Sequence, residues 1–415
     1  MRRALPLLAL TLALALAACG PDPGPVDMAV LAPDPVTGAY RLEVVRIETL
    51  EDVTALRGAA ATPIGGASLS FDPEALEGVD TEAEFRARVI RDAGGPVEAQ
   101  FVERDGVLWP VDFHTLNLAT AYRNFEVARR YALARGLDPV GPLTGMPFYY
   151  FPEFRWDGGP MADNAAYLPH LESFVLLPFV VLQEVPLPMN LGVIAHEYGH
   201  AIFGATARGS AFLPRYTAWA PDSAGNRLLG VLEEGFADAW GAGATGDPNY
   251  LAHSFPFARA AARDIDEFWP QDHCYSPAAF EADLAAARRC SDGGERYWAH
   301  RQYRLGTVIA AALWRAGEEP GTGYDRVMDA VLASYAAVGP SSLAAAMAGD
   351  PSGDSFGDLA VPARALVAGA PDEPTRLALC RVLGERLGLE PDGCAGVAPA
   401  ADGCQGVTPA LGSCG

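Results

Sequence analysis

Positive charge is scarce in this chain. Its 30 basic residues, every one an arginine, face 52 acidic ones, for a formal charge of −22. Phosphate contacts need clustered Lys and Arg, so the deficit argues against nucleic acid as a partner. Acidity of this kind acts on solubility and colloidal stability. Cysteine is sparse as well, at 7 residues, and no Cys-x-x-Cys pair or neighbouring histidine marks a structural metal cluster. Beyond the N-terminus no apolar run is long enough to span a membrane. The bulk, 50% hydrophobic and 20% charged, has the composition of globular proteins, and 415 residues allow a two-lobed core plus a small appendage.

The one long apolar run stands at the start. Arg2 and Arg3 precede it over residues 4–15, and Leu16-Ala17-Ala18-Cys19 follows. A basic opening, a short apolar stretch and small residues before the cut describe a secretory signal over residues 1–18, too short to persist as a spanning helix. The Leu-Ala-Ala-Cys ending resembles the bacterial lipobox, which implies acylation of Cys19 and anchoring to a membrane. An ordinary signal peptide with a coincidental cysteine is the alternative. Gly20 follows Cys19, with no Asp to mark inner-membrane retention, so the expected place is the cell envelope, at the outer membrane. Residues 19–37, rich in Pro, Asp and Gly, are expected to be a tether.

The most informative stretch is Val193-Ile194-Ala195-His196-Glu197-Tyr198-Gly199-His200. At i and i+4 both imidazoles leave the same helix face and can hold one metal ion. Zinc accepts neutral imidazole nitrogens, and a hydrolytic site keeps one position open for water. Glu197, beside the first candidate ligand, is placed to take a proton from that water as it attacks a carbonyl. Two surface histidines on an ordinary helix are the plain alternative, but Val193, Ile194, Ala201 and Ile202 make this an interior helix with one polar edge.

A three-ligand site needs one more donor. Residues 232–240 read Leu-Glu-Glu-Gly-Phe-Ala-Asp-Ala-Trp, with Glu234 and Asp238 again one turn apart. The first can bind zinc while the second accepts the remaining N–H of a ligating histidine and fixes its tautomer. Acids on a solvent face are the alternative. Phe236, Ala237, Ala239 and Trp240 speak for a mostly buried helix, where an unpaired carboxylate is costly. Glu233 is the other candidate for third ligand.

Together, His196, Glu197 and His200 followed by Glu234-Gly235-Phe236-Ala237-Asp238 resemble the gluzincin metallopeptidases, the thermolysin and fungalysin group, with fungalysin nearer. The resemblance implies an α+β, thermolysin-like fold: an N-terminal lobe of mixed sheet and helix, a mostly helical C-terminal lobe, and a zinc cleft between them. It implies zinc held by His196, His200 and Glu234, Glu197 as general base, Asp238 behind His196, and peptide or protein substrates. Asp163-Asn164-Ala165-Ala166-Tyr167 is similar to the edge strand that pairs with substrate backbone, which makes Asn164 and Ala165 the substrate-binding positions. Tyr303-Arg-Leu-Gly306-Thr-Val-Ile-Ala310 looks like the helix that begins His-x-x-Gly, whose histidine donates to the developing oxyanion. Tyr303 stands at that position here. A tyrosine hydroxyl can serve, and His300, three residues earlier, is the other candidate.

The expected organisation is a signal over 1–18, a tether over 19–37, an α+β lobe with the edge strand over 38–190, a helical zinc-binding lobe over 191–370 and a Cys-rich disulfide tail over 371–415. Strands are expected at 40–49, 146–154 and 174–182, and a hairpin pairing 97–101 with 107–111 about Asp105-Gly106. Helices are expected at 117–134, 257–268, 277–289, 303–316 and 324–337. Sequence proximity favours a Cys274–Cys290 bridge, leaving Cys380, Cys394, Cys404 and Cys414 to staple the tail. Thermolysin-like enzymes often bind calcium, and Asp350, Asp354 and Asp358 recur in a Gly-rich loop. Their spacing does not fit an EF-hand, so a solvated loop is expected there.

Two classes of function follow: a zinc endopeptidase acting outside the cytoplasm, or a surface lipoprotein of the same fold that binds or scaffolds with little or no catalysis. An intact Glu197 favours the first, and Tyr303 in place of histidine favours the second. No acidic motif for gripping a free amine precedes the zinc helix, which argues against an aminopeptidase.

Overall fold

All the strands among the described residues lie before residue 180, interspersed with three helices, and from Leu191 onward every regular element among the described residues is helical. The chain is thus a mixed α+β protein with a helical C-terminal part. The computed structural model describes residues 24–34, 37–79, 81–137, 143–180, 183–208, 224–255, 264–265, 295–339, 359–389 and 392–397. Residues 1–18, Cys19, Cys274, Cys290, Cys404, Cys414, the Asp350, Asp354 and Asp358 loop, the pattern at 277–289 and nearly all of that at 257–268 lie outside them.

One four-stranded sheet runs in the order Tyr40–Ile47, Val26–Pro33, Val107–Pro110, Phe101–Arg104, with its two central strands parallel. Val26–Pro33 corrects the reading of residues 19–37 as a tether. Eight residues pair in register with Tyr40–Ile47, and Met28, Ala29, Val30 and Ala32 are buried. The burial of that apolar set outweighs the Pro and Gly around it. Asp105 and Gly106 turn the neighbouring hairpin with φ of +54° and +79°, as a two-residue primed turn requires. That hairpin starts at Phe101, where the expected first strand ends, so 97–100 are not part of it.

The second sheet runs Ala165–Leu168, Ser173–Leu176, Met146–Tyr150, Ala61–Gly65, Gly95–Pro96. The expected strand at 146–154 is two strands. The chain turns at Phe151, with φ +48°, and Glu153–Trp156 joins a smaller sheet beside Ser68–Phe71. The strand expected at 174–182 ends at Leu176. Ala165–Leu168 is the outer strand of its sheet, as expected of an edge strand.

Phe113–Ala134 begins at Asp112, whose carboxylate accepts the Thr115 amide at 2.8 Å and caps the helix. It packs along Leu191–Phe203, the first ligand helix, which buries every residue except His200. Asn190 starts that helix: its Oδ1 accepts the amides of Gly192 and Val193, and its Nδ2 donates to the Tyr250 carbonyl and Ser254 Oγ. The second ligand helix, Ala224–Thr245, lies between the first and Glu295–Glu318. Tyr324–Val338 and Ala360–Ala368 complete the packing around them.

A further helix, Glu373–Leu387, occupies the first part of the segment expected to be a Cys-rich disulfide tail, 371–415. Asp372 caps it, Pro374 sits in its first turn, Gly388 ends it in the left-handed region, and it packs on Glu295–Glu318. A Cys380–Cys394 disulfide ties the following segment back onto this helix. Among the described residues no helix is long and apolar enough to cross a membrane.

Candidate metal centre

His196 and His200 point their Nε2 atoms at one another across 3.1 Å. Glu234, reaching over from the second ligand helix, places Oε2 at 3.6 Å from the first nitrogen and 3.8 Å from the second. One point in that triangle lies about 2.0 Å from all three atoms, the distance at which zinc takes imidazole nitrogen and carboxylate oxygen. The three residues form the one group of potential ligands of this kind among the described residues.

The outer ring nitrogens explain how a cation could be held between the inner ones. His196 Nδ1 lies 3.1 Å from Asp238 Oδ1, and His200 Nδ1 lies 3.2 Å from Glu233 Oε1. Each carboxylate calls for a proton on the nitrogen it faces, which leaves both Nε2 atoms as lone-pair donors. Two lone pairs and a carboxylate converging in a buried pocket are stable only around positive charge. The proton affinity of His200 says the same. Burial alone would depress it, and Glu234, Glu233 and Glu197 together outweigh that and push it up to about 9. Two imidazoles and one carboxylate are a donor set that suits zinc.

Of the two candidate third ligands, Glu234 therefore joins the cluster and Glu233 supports His200. Asp238 is fully buried and takes donors from three directions: His196, the Tyr250 hydroxyl at 2.9 Å and Thr307 Oγ1 at 3.0 Å. Asp238→Ala is expected to weaken zinc affinity by about 10–100-fold with the fold retained. A zinc titration coupled to circular dichroism checks this, and an unchanged affinity would reduce Asp238 to a packing residue.

Glu197 faces the same cleft, 7% exposed, and its Oε2 accepts the Tyr167 amide at 2.8 Å. That bond carries a second message. The Leu177 amide donates to the Asn164 carbonyl on the inner side of the strand. Alternation then turns the backbone groups of Ala165 and Tyr167 outward, toward the cleft. Asn164 and Ala165 both line this cleft of about 240 Å³, with Leu187, Val193, Leu251 and Phe255 supplying apolar wall.

Tyr303 lines the cleft too, 38% exposed. Its helix begins at Glu295 rather than at Tyr303, so this residue sits in the third turn. His300 is on the same helix, and its side chain lies outside the described residues. Gly306 brings this helix onto the second ligand helix. A Cβ on Gly306 would meet Glu234 Cβ and the Gly235 amide at 2.8 Å each, and one on Gly235 would meet the Gly306 carbonyl at 2.8 Å. The third ligand and the Tyr303 helix are thus docked through bare backbone.

Sequence reasoning missed Tyr250 and Thr307 and gave Glu233 no supporting role. Tyr250 opens a single 3₁₀ turn, Tyr250–His253, with no periodic pattern to mark it. No protein-family model matches this chain, and no curated protein matches it by sequence.

Proposed function

We propose that this chain is a zinc-dependent endopeptidase of the gluzincin kind, with a thermolysin-like arrangement of its lobes. The observation that carries the reading is the convergence on one cleft of a three-ligand cluster, the Glu197 carboxylate and an outward-facing strand edge. Zinc, when bound, polarises a substrate carbonyl and lowers the pKa of a water molecule. Glu197, oriented by the Tyr167 amide, takes that water's proton and returns it to the leaving amine. An extended peptide adds alongside Ala165–Leu168 and pairs with the backbone of Ala165. Leu187, Val193, Leu251 and Phe255 receive an apolar substrate side chain next to the scissile bond. Tyr303 donates to the developing oxyanion. The lipobox-like Leu16-Ala17-Ala18-Cys19 supports placing the enzyme in the cell envelope, anchored through an acylated Cys19 at the outer membrane.

The test is cleavage of an unfolded protein and of a peptide blocked at its amino end. Both should be cut internally, the reaction should stop on adding a chelator, and zinc should restore it. Intact substrates under every metal condition would favour the surface binding module instead.

A further inference from the structure

Tyr250 is wedged between the two ligand helices. Its ring occupies space that only glycine leaves: a Cβ on Gly192 would meet Tyr250 Cδ2 at 2.3 Å, and one on Gly241 would meet Tyr250 Cζ at 2.8 Å. The backbone on either side of this slot leads straight to the metal ligands. Gly192 precedes His196 by four residues, and Gly241 follows Asp238 by three. Two contacts grip the first ligand helix at separate points. The Tyr250 carbonyl accepts from Asn190 Nδ2 at 2.9 Å, at the helix start, and the hydroxyl reaches His196 Nδ1 at 3.1 Å, further along. The same hydroxyl donates to Asp238 Oδ1 at 2.9 Å, on the second helix. His196 Nδ1, Asp238 Oδ1 and Tyr250 Oη therefore form a closed triangle with sides of 2.9 to 3.1 Å, among residues no more than 5% exposed.

We infer that Tyr250 is a positioning residue of the metal centre, whose hydroxyl sets the Asp238–His196 pair and through it the affinity for the metal. The inference rests on the metal reading above. The hydroxyl proton goes to Asp238, so the lone pairs of Oη face the His196 Nδ1–H. That N–H then has two acceptors and no competing tautomer, and Nε2 is held as the donor toward His200 and Glu234. A phenylalanine would fill the glycine slot equally well and carry none of this. The side chain thus separates into a ring that packs the two helices and a hydroxyl that tunes the histidine.

Tyr250→Phe isolates the hydroxyl. Zinc affinity is measured by competition with a chromophoric chelator, in wild type, Tyr250→Phe, Asp238→Ala and the double variant, with thermal unfolding of each metal-free form as control. The expected result is about tenfold weaker zinc binding in Tyr250→Phe, the lower end of the range for a group behind a ligand. The metal-free melting temperature should match wild type. Because the hydroxyl and Asp238 act on the same His196 N–H, the two losses should not simply multiply in the double variant. Cobalt substituted for zinc should give a visible spectrum altered in Tyr250→Phe, since the orientation of His196 has changed. Unchanged affinity and spectrum would overturn the inference, as would a double variant whose loss is the plain product of the two single losses. A lowered melting temperature of the metal-free form with unaltered affinity would leave only a packing role and overturn it too. If the wild type bound neither zinc nor cobalt, the metal reading itself would fall, an outcome distinct from all of these.

Discussion

Glu197→Gln is expected to keep its full complement of zinc while peptide hydrolysis falls by about 10²–10⁴-fold, the scale of a lost general base. The amide preserves volume and can still accept the Tyr167 amide through its oxygen, so the edge strand and the helix stay as they are. It cannot take a proton from water. The ligands His196, His200 and Glu234 are untouched, so metal content separates this variant from a damaged site. The measurement is kcat on a blocked peptide with zinc quantified in the same sample. Activity equal to wild type would move the base elsewhere in the cleft.

Tyr303→Phe is expected to lower kcat by about 10²–10³-fold with little change in KM, as removal of one oxyanion donor does. The residue lines the metal cleft on the helix that Gly306 docks against Glu234. In the proposed function, ground-state substrate binding rests on the strand edge and the apolar wall, which the variant leaves alone. A phenol ordinarily holds its proton to about pH 10, whereas a histidine titrates near neutrality. The wild-type rate should therefore lack the alkaline fall near neutrality that a protonated histidine donor would impose. If His300→Ala carried the loss and Tyr303→Phe did not, the donor would lie one turn earlier on the same helix.

The site residues that could be read in the sequence are those governed by helix period. His196 with His200 and Glu234 with Asp238 each sit one turn apart, so a shared face follows from spacing alone. Glu233 and Glu234 show the limit of that argument. Adjacent on the helix, both reach His200, and only the packing of the two helices decides which carboxylate meets Nε2 and which meets Nδ1. Tyr250 left no local signal because its role arises where two helices cross.

Elsewhere the misreadings have physical causes. Proline and glycine flank Val26–Pro33, yet its apolar residues find a partner strand that local composition does not reveal. Glu373–Leu387 did carry helix signals, with Asp372 at its cap, Pro374 in the first turn and Gly388 after the end, but the cysteines around it drew the reading to a disulfide-bonded tail. Long apolar periodicity was the surest guide, as in Phe113–Ala134, whose interior was expected over 117–134.

Zinc stoichiometry tests the central claim most directly. The purified protein, stripped with chelator and reloaded, should bind one zinc per chain by elemental analysis, and His200→Ala should lose it under the same washing. One zinc in wild type and none in the variant is the result the proposed function predicts. Full stoichiometric zinc in His200→Ala, or none in wild type, would contradict it.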